Sequence, residues 1–236
     1  MALYLHIEDK NKRVFPTELA YIIGLTVLAF GAAFMTRADF GVSMVVAPAY
    51  LLHLKISQLL PFFSFGMAEY TLQAVLLIAL ASIMRRFKWA YLYSLGTAVC
   101  YGFLLDIFMK IVAYFPTDLV AWRLVYYVVG LLLCTSGVSL LFHTYISPEA
   151  YELFVKEVSA KIHMDISKFK TIYDCVSCVV AILMSFLFFG WWQFEGVKIG
   201  TVVCALINGL MIGAFTKLFE GVFEFRDRLN LRKYFE

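Results

Sequence analysis

The chain has 236 residues, 62% of them hydrophobic and only 16% charged, with a mean hydropathy of +0.82. A soluble domain is about 45–50% apolar and about 25% charged, so a water-soluble enzyme is excluded, and 23 Phe with 14 Tyr exclude a solvated, disordered chain. The net charge of +3 is no footprint for nucleic acid, which needs basic residues clustered on one face; what remains is an integral membrane protein whose first partner is the lipid bilayer.

Residues 1–17 form a polar N-terminal tail, with His6, Glu8, Asp9 and Lys10 ahead of any apolar run, which is not the pattern of a signal peptide. A membrane helix needs about 20 mostly apolar residues. Six segments qualify, at 18–36, 66–84, 91–112, 123–142, 171–190 and 198–217. Val42 to Leu54, with Pro48 inside, is apolar but too short to cross, and reads as a re-entrant or interfacial piece. The segment 143–170 is also long, and more polar. The tail 218–236 alternates Phe and Leu with charges, which is read as an amphipathic helix along the headgroups, or as a solvated helical extension or a contact with a neighbour.

Basic residues orient these spans. With the N-terminus on one side, that side carries Lys10, Lys12 and Arg13; Arg85, Arg86 and Lys88; Lys156, Lys161, Lys168 and Lys170; and Lys217, Arg226, Arg228, Arg232 and Lys233. The other side carries Arg37, Lys55, Lys110, Arg123 and Lys198. A split of 15 to 5 among the 20 basic residues makes the N-terminal side cytoplasmic. Six spans return the C-terminus to it.

Three echoes suggest internal duplication. Leu95-Gly96-Thr97-Ala98-Val99-Cys100 matches Ile199-Gly200-Thr201-Val202-Val203-Cys204, 104 residues later. Pro48-Ala49-Tyr50-Leu51-Leu52 resembles Pro148-Glu149-Ala150-Tyr151-Glu152-Leu153. Gly24 and Gly31 are spaced like Gly130 and Gly137, 106 residues later. The expected architecture is therefore an all-α membrane protein of two three-helix repeats, 18–112 and 113–217. Because three spans are an odd number, the second copy enters from the opposite side. This is an inverted-topology plan that secondary transporters use for alternating access around a midplane site.

Ala38-Asp39-Phe40-Gly41-Val42-Ser43, Phe65-Gly66-Met67-Ala68-Glu69-Tyr70, Lys170-Thr171-Ile172-Tyr173-Asp174 and the stretch from Ile199-Gly200-Thr201 to Asn208-Gly209 resemble the YczE/YitT group of bacterial membrane proteins, over about residues 20–220. The C-terminal soluble domain of YitT-type members has no counterpart, so the YczE-like branch is the nearer. The resemblance implies a topology and a bacterial inner-membrane location, not a reaction.

Charge within a bilayer is costly and faces the bundle interior or a wet cavity. Glu69 lies one turn before Gln73 on one helical face, either snorkelling outward or serving as a proton or cation ligand. Asp174 occupies the matching region of the fifth span. Asp106 is either a path residue or the partner of Lys110; Asn208 is the uncharged residue in the corresponding region of the sixth span. Arg37 and Asp39 close the first span, as an anion site or as a mutual pair. Phe40 to Ser43 reads as the N-terminus of a half-helix. Ser147 and Pro148 read as cap and first residue of another. Gly96-Thr97 and Gly200-Thr201 are read as close-approach positions.

No cofactor, metal or catalytic centre is expected. Cys175-x-x-Cys178 has no second pair, the five Cys are odd in number and lie in apolar runs, and His53, His143 and His163 are far apart. No serine elbow or phosphate loop occurs. The reading is a small-solute transporter, carrier or channel, coupled to protons or cations through intramembrane carboxylates. The cargo is an unknown small solute or ion, and a homo-oligomer is compatible with this. The alternative is a non-transporting scaffold or maturation factor acting on a partner enzyme through 143–170 and the tail.

Overall fold

The computed structural model describes residues 12–164, 166–191, 196–229 and 232. Six helices are long and apolar enough to cross a membrane: α1 (Thr17–Ala38), α3 (Phe65–Met84), α4 (Trp89–Val112), α5 (Val120–Phe142), α7 (Ile166–Phe189) and α8 (Ile199–Val222). Two shorter helices, α2 (Ala47–Ile56) and α6 (Ala150–Lys161), lie between spans. The chain is a multi-pass membrane protein, and the six expected spans differ from the observed helices by a few residues at their ends.

Residues at helix ends explain several boundaries. Ser64 caps α3, its hydroxyl accepting from the Met67 N–H at 3.1 Å. Asp39 and Arg85 end α1 and α3 in the left-handed conformation. Pro48 sits in the first turn of α2, where its missing N–H removes no bond.

The bundle is built around α1 and α5. Half of the apolar stretch of α1 and 61% of that of α5 are buried, against 22–33% in the other four spans, so these two form the centre. Their contact is made by glycine. A Cβ on Gly31 would stand 2.7 Å from the Gly130 carbonyl, and one on Gly137 would stand 2.8 Å from that of Gly24. Pairing 24 with 137 and 31 with 130 makes the two helices antiparallel. Between helices in lipid no hydrophobic gain is available, so small residues that let backbones touch supply the attraction. The outer helices turn Ile78, Phe103, Leu187 and Leu210 outward, as lipid-facing surfaces require.

The neighbour pattern is regular. α1 also packs on α4 and α5 on α8; α3 packs on α4 and α7 on α8; α2 and α6 each touch both α3 and α7. Exchanging the first four helices, in order, for the last four carries each of these pairs onto another.

Two faces are defined. At one, β1 (Arg13–Pro16) pairs in parallel with β2 (Phe223–Arg226), Val14 opposite Glu224. Within the described part of the tail the expected amphipathic helix is replaced: α8 runs to Val222 and residues 223–226 form a strand, while 230, 231 and 233–236 lie outside the described residues. Alternation of Phe223 and Phe225 with Glu224 and Arg226 has the period of a strand, and Phe15 packs on both rings. The turn 85–88 lies at this face too, since Lys88 lines one cavity with Arg232 and with Tyr145, whose hydroxyl donates to Glu18 in the first turn of α1; the turn also meets α6, Lys161 Nζ donating to the Ile83 carbonyl and Lys88 pairing with Glu157. We call it the terminal face. At the opposite face Asp39, Phe115, Arg123 and Lys198 come together.

Candidate functional site: a buried acidic seam

α6 is amphipathic and carries charge, yet Ala150, Tyr151, Glu152, Leu153 and Val155 are buried. The first turn of this helix is wedged between α3 and α7, and its polar groups meet those of the two spans. Gln73, fully buried, holds the junction: its Oε1 accepts from the Ala150 N–H at 3.0 Å, while its Nε2 donates to Glu69 Oε2 at 3.4 Å and to Glu149 Oε2 at 3.3 Å. The Tyr151 hydroxyl donates to Glu69 Oε2 at 3.0 Å. On the α7 side, Lys170 Nζ lies 2.9 Å from Glu152 Oε1 and 3.3 Å from Asp174 Oδ1, and Asn208 Nδ2 on α8 donates to Asp174 Oδ2 at 3.3 Å.

Four buried carboxyls therefore face one buried ammonium. Glu69 Oε1, Glu149 Oε1 and Glu152 Oε2 are buried with no hydrogen-bond partner. Burial, together with the nearby carboxylates Glu69 and Glu152, pushes the Glu149 carboxyl well above the ordinary carboxylic range. Taking an ion out of water costs several kcal/mol even with a partner. Such a seam binds protons, cations or hydrogen-bond donors far more readily than anions.

A cavity of about 620 Å³ leads to the seam. It starts among Lys88, Lys156 and Arg232 at the terminal face and ends at Glu152 and Lys170. A second, of about 390 Å³, lies at the opposite face, lined by Arg37, Asp39 and Arg123. The segments ahead of α2 and α6 are each held by the last helix of the other half. Thr201 donates to the Val42 carbonyl at 2.8 Å, and Thr97 donates to that of Ser147 at 2.9 Å. Ser94 holds the Pro148 carbonyl at 2.7 Å, and Tyr127 holds that of Gly200 at 2.6 Å.

The structure brings Glu69 and Gln73 together, and Asp174 with Asn208, but places the other expected residues elsewhere. Asp106 does not pair with Lys110. It accepts from the Ser64 hydroxyl at 2.6 Å and the Gly66 N–H at 2.9 Å, because the N-terminus of α3 offers unpaired donors that a carboxylate satisfies. Arg37 does not pair with Asp39: it donates to the Phe115 carbonyl, while Asp39 pairs with Lys198 and, at 2.9 Å, with Arg123. Ser147 does not cap α6 and Pro148 does not open it. Glu149 is the cap residue, and the Ser147 and Pro148 carbonyls serve as acceptors instead. The segment Phe40 to Ser43 precedes its helix rather than starting it; α2 begins at Ala47, Pro48 falls within it, and the Ser43 carbonyl accepts from the Val46 and Ala47 N–H groups. Gly200 touches the Phe40 carbonyl, whereas Gly96 faces open space.

Sequence reasoning missed Glu149, Tyr151, Glu152 and Lys170. They lie in or beside the polar stretch 143–170, where the charge of Lys170 reads like that of any cytoplasmic lysine. One signal was available: Pro148 to Leu153 echoes Pro48 to Leu52, and a copy of a buried element is itself a candidate for burial. Among the described residues no group of three or more His, Cys, Asp or Glu side chains is gathered to hold a metal ion.

No curated protein and no solved structure matches this chain. Residues 15–217 match a family of unknown function, DUF6198, from the strand ahead of the first span to the last turns of α8. With most of its length so matched, the chain belongs to the DUF6198 family.

Proposed function

We propose that this protein is a small-solute carrier working by alternating access. One observation carries the reading: the cavity of about 620 Å³ that runs from the terminal face to a buried, charged end at Glu152 and Lys170. A bundle that only scaffolds a partner gains nothing from four interior carboxyls, each of which costs solvation free energy. An ion-coupled carrier needs groups of this kind.

The two halves are read as inverted copies. The antiparallel glycine contact of α1 and α5, the exchangeable neighbour pattern and the paired clamps at Thr97 and Thr201 support this. Inverted copies have two packings of similar energy, one open to each face. In the present packing the terminal face is the open one, and Asp39 with Arg123 and Lys198 ties the opposite face shut. The excess of basic residues at the terminal face and the YczE/YitT resemblance support a bacterial inner membrane with both ends cytoplasmic.

Reconstitution in liposomes tests this. Solid-supported-membrane currents, recorded on concentration jumps of pooled amines, amino acids, carboxylates and sugars, are expected to respond to one pool and to vanish in Lys170→Met and Glu152→Gln. Silence with every pool, with no thermal stabilisation by any of them, would favour the scaffold reading. Labelling of cysteines placed at Lys55 and Lys168 from either side checks the orientation.

A further inference from the structure

Glu69 on α3 and Glu149 at the tip of α6 are joined by a single amide. Because Gln73 Oε1 is taken by the Ala150 N–H, the Gln73 NH₂ group is turned toward both carboxyls, with one hydrogen for each. Each carboxyl then keeps one buried oxygen, Oε1, without a partner. Tyr151 has already given its hydrogen to Glu69.

Among the described residues no cation is paired directly with either carboxyl. The groups facing Glu149 among the described residues are Glu69 and Gln73 from α3, Tyr151 and Glu152 on its own helix, Lys170 from α7, Tyr21 from α1, Tyr101 from α4 and Cys134 from α5. Lys170 is the only cation among them, and it is held by Glu152 and Asp174. Two adjacent carboxylates in a dry seam cannot both ionise without strong repulsion. One proton removes the repulsion and supplies an O–H to one of the orphaned oxygens.

We propose that Glu69 and Glu149 together hold one exchangeable proton, and that this proton keeps the tip of α6 seated on α3. Its release goes to water in the cavity, which is lined by Ser147, Pro148 and Glu152 on either side of Glu149 in the chain. Two like charges then face each other across the seam and push α6 from α3. Only the use of this motion in transport rests on the carrier reading; the site does not.

Infrared spectroscopy of the full chain in nanodiscs, titrated from about pH 5 to about pH 9, reads the site directly. A protonated-carboxyl C=O band, shifted by deuterium, should persist at neutral pH and disappear on alkalinisation. Its midpoint should fall in Glu69→Gln and in Glu149→Gln, and the band should be lost in the double variant, whose amides fill the same space. A wild-type spectrum without the band at neutral pH overturns the proposal. So does a band unchanged in the double variant, and so does displacement of the band by sodium chloride but not by choline chloride. A band that behaves as expected in a protein showing no flux removes the carrier reading and leaves the proton site standing.

Discussion

Replacing Lys170 with Met separates a buried ion triad from a lysine in a polar loop. Lys170 is 4% exposed, and Met fills much of its volume without its charge. The substitution leaves Glu152 Oε1 and Asp174 Oδ1, now 2.9 and 3.3 Å from the ammonium, with no cation. Breaking a buried pair by removing one partner costs about 3–5 kcal/mol, whereas an exposed pair is worth about 1 kcal/mol or less. For a chain of this size about 1 kcal/mol corresponds to about 2–4 °C. Thermal unfolding in detergent should therefore show Lys170→Met falling by about 10 °C, while Lys156→Met, at an exposed position, should change by less than about 2 °C. Adding Glu152→Gln to Lys170→Met should recover part of the loss, because it removes one of the two stranded charges. Equal, small effects at Lys156 and Lys170 would refute the buried triad.

Three further outcomes follow from other parts of the molecule. Gly31→Ala brings a Cβ to 2.7 Å from backbone atoms of Gly130 and Cys134, and should destabilise by about 1–3 kcal/mol in unfolding titrations; Gly96→Ala, facing open space, should be neutral or stabilising by up to about 1 kcal/mol. A Val14→Cys, Glu224→Cys pair, in register across the two strands, should form a reducible crosslink seen as a gel shift; its absence would remove the evidence that the two described ends share a face. Glu149 gives a pH dependence of defined sign. Because its folded value is raised, the folded state holds a proton that the unfolded chain releases near about pH 4.3. Its stabilising share is complete at acid pH and declines as pH rises toward the folded value, and Glu149→Gln should flatten the pH profile of unfolding.

The spans were legible because lipid imposes a simple test, namely a run long and apolar enough to cross. The glycines at 24, 31, 130 and 137 stood out through their shared spacing, and the structure brings them together in one contact. The tail is ambiguous in sequence because apolar and charged residues alternate along it: residues 223–226 do so with period two, yet only a partner strand at 13–16 makes that alternation a strand. Asp106 and Arg37 misled for another reason. Sequence proximity offers Lys110 and Asp39 as partners beside the path and anion-site readings, while the observed partners, Ser64 and Phe115, lie 42 and 78 residues away.

From the sequence alone come the membrane, the six crossings, the echo between the halves and the acids Glu69 and Asp174, since each depends on local composition or spacing. The seam was decided only by tertiary structure. A short charged helix such as α6 reads the same whether it floats on headgroups or is wedged between spans. Its place is set by which surfaces α3 and α7 leave for it, and those depend on contacts that no local stretch of chain contains.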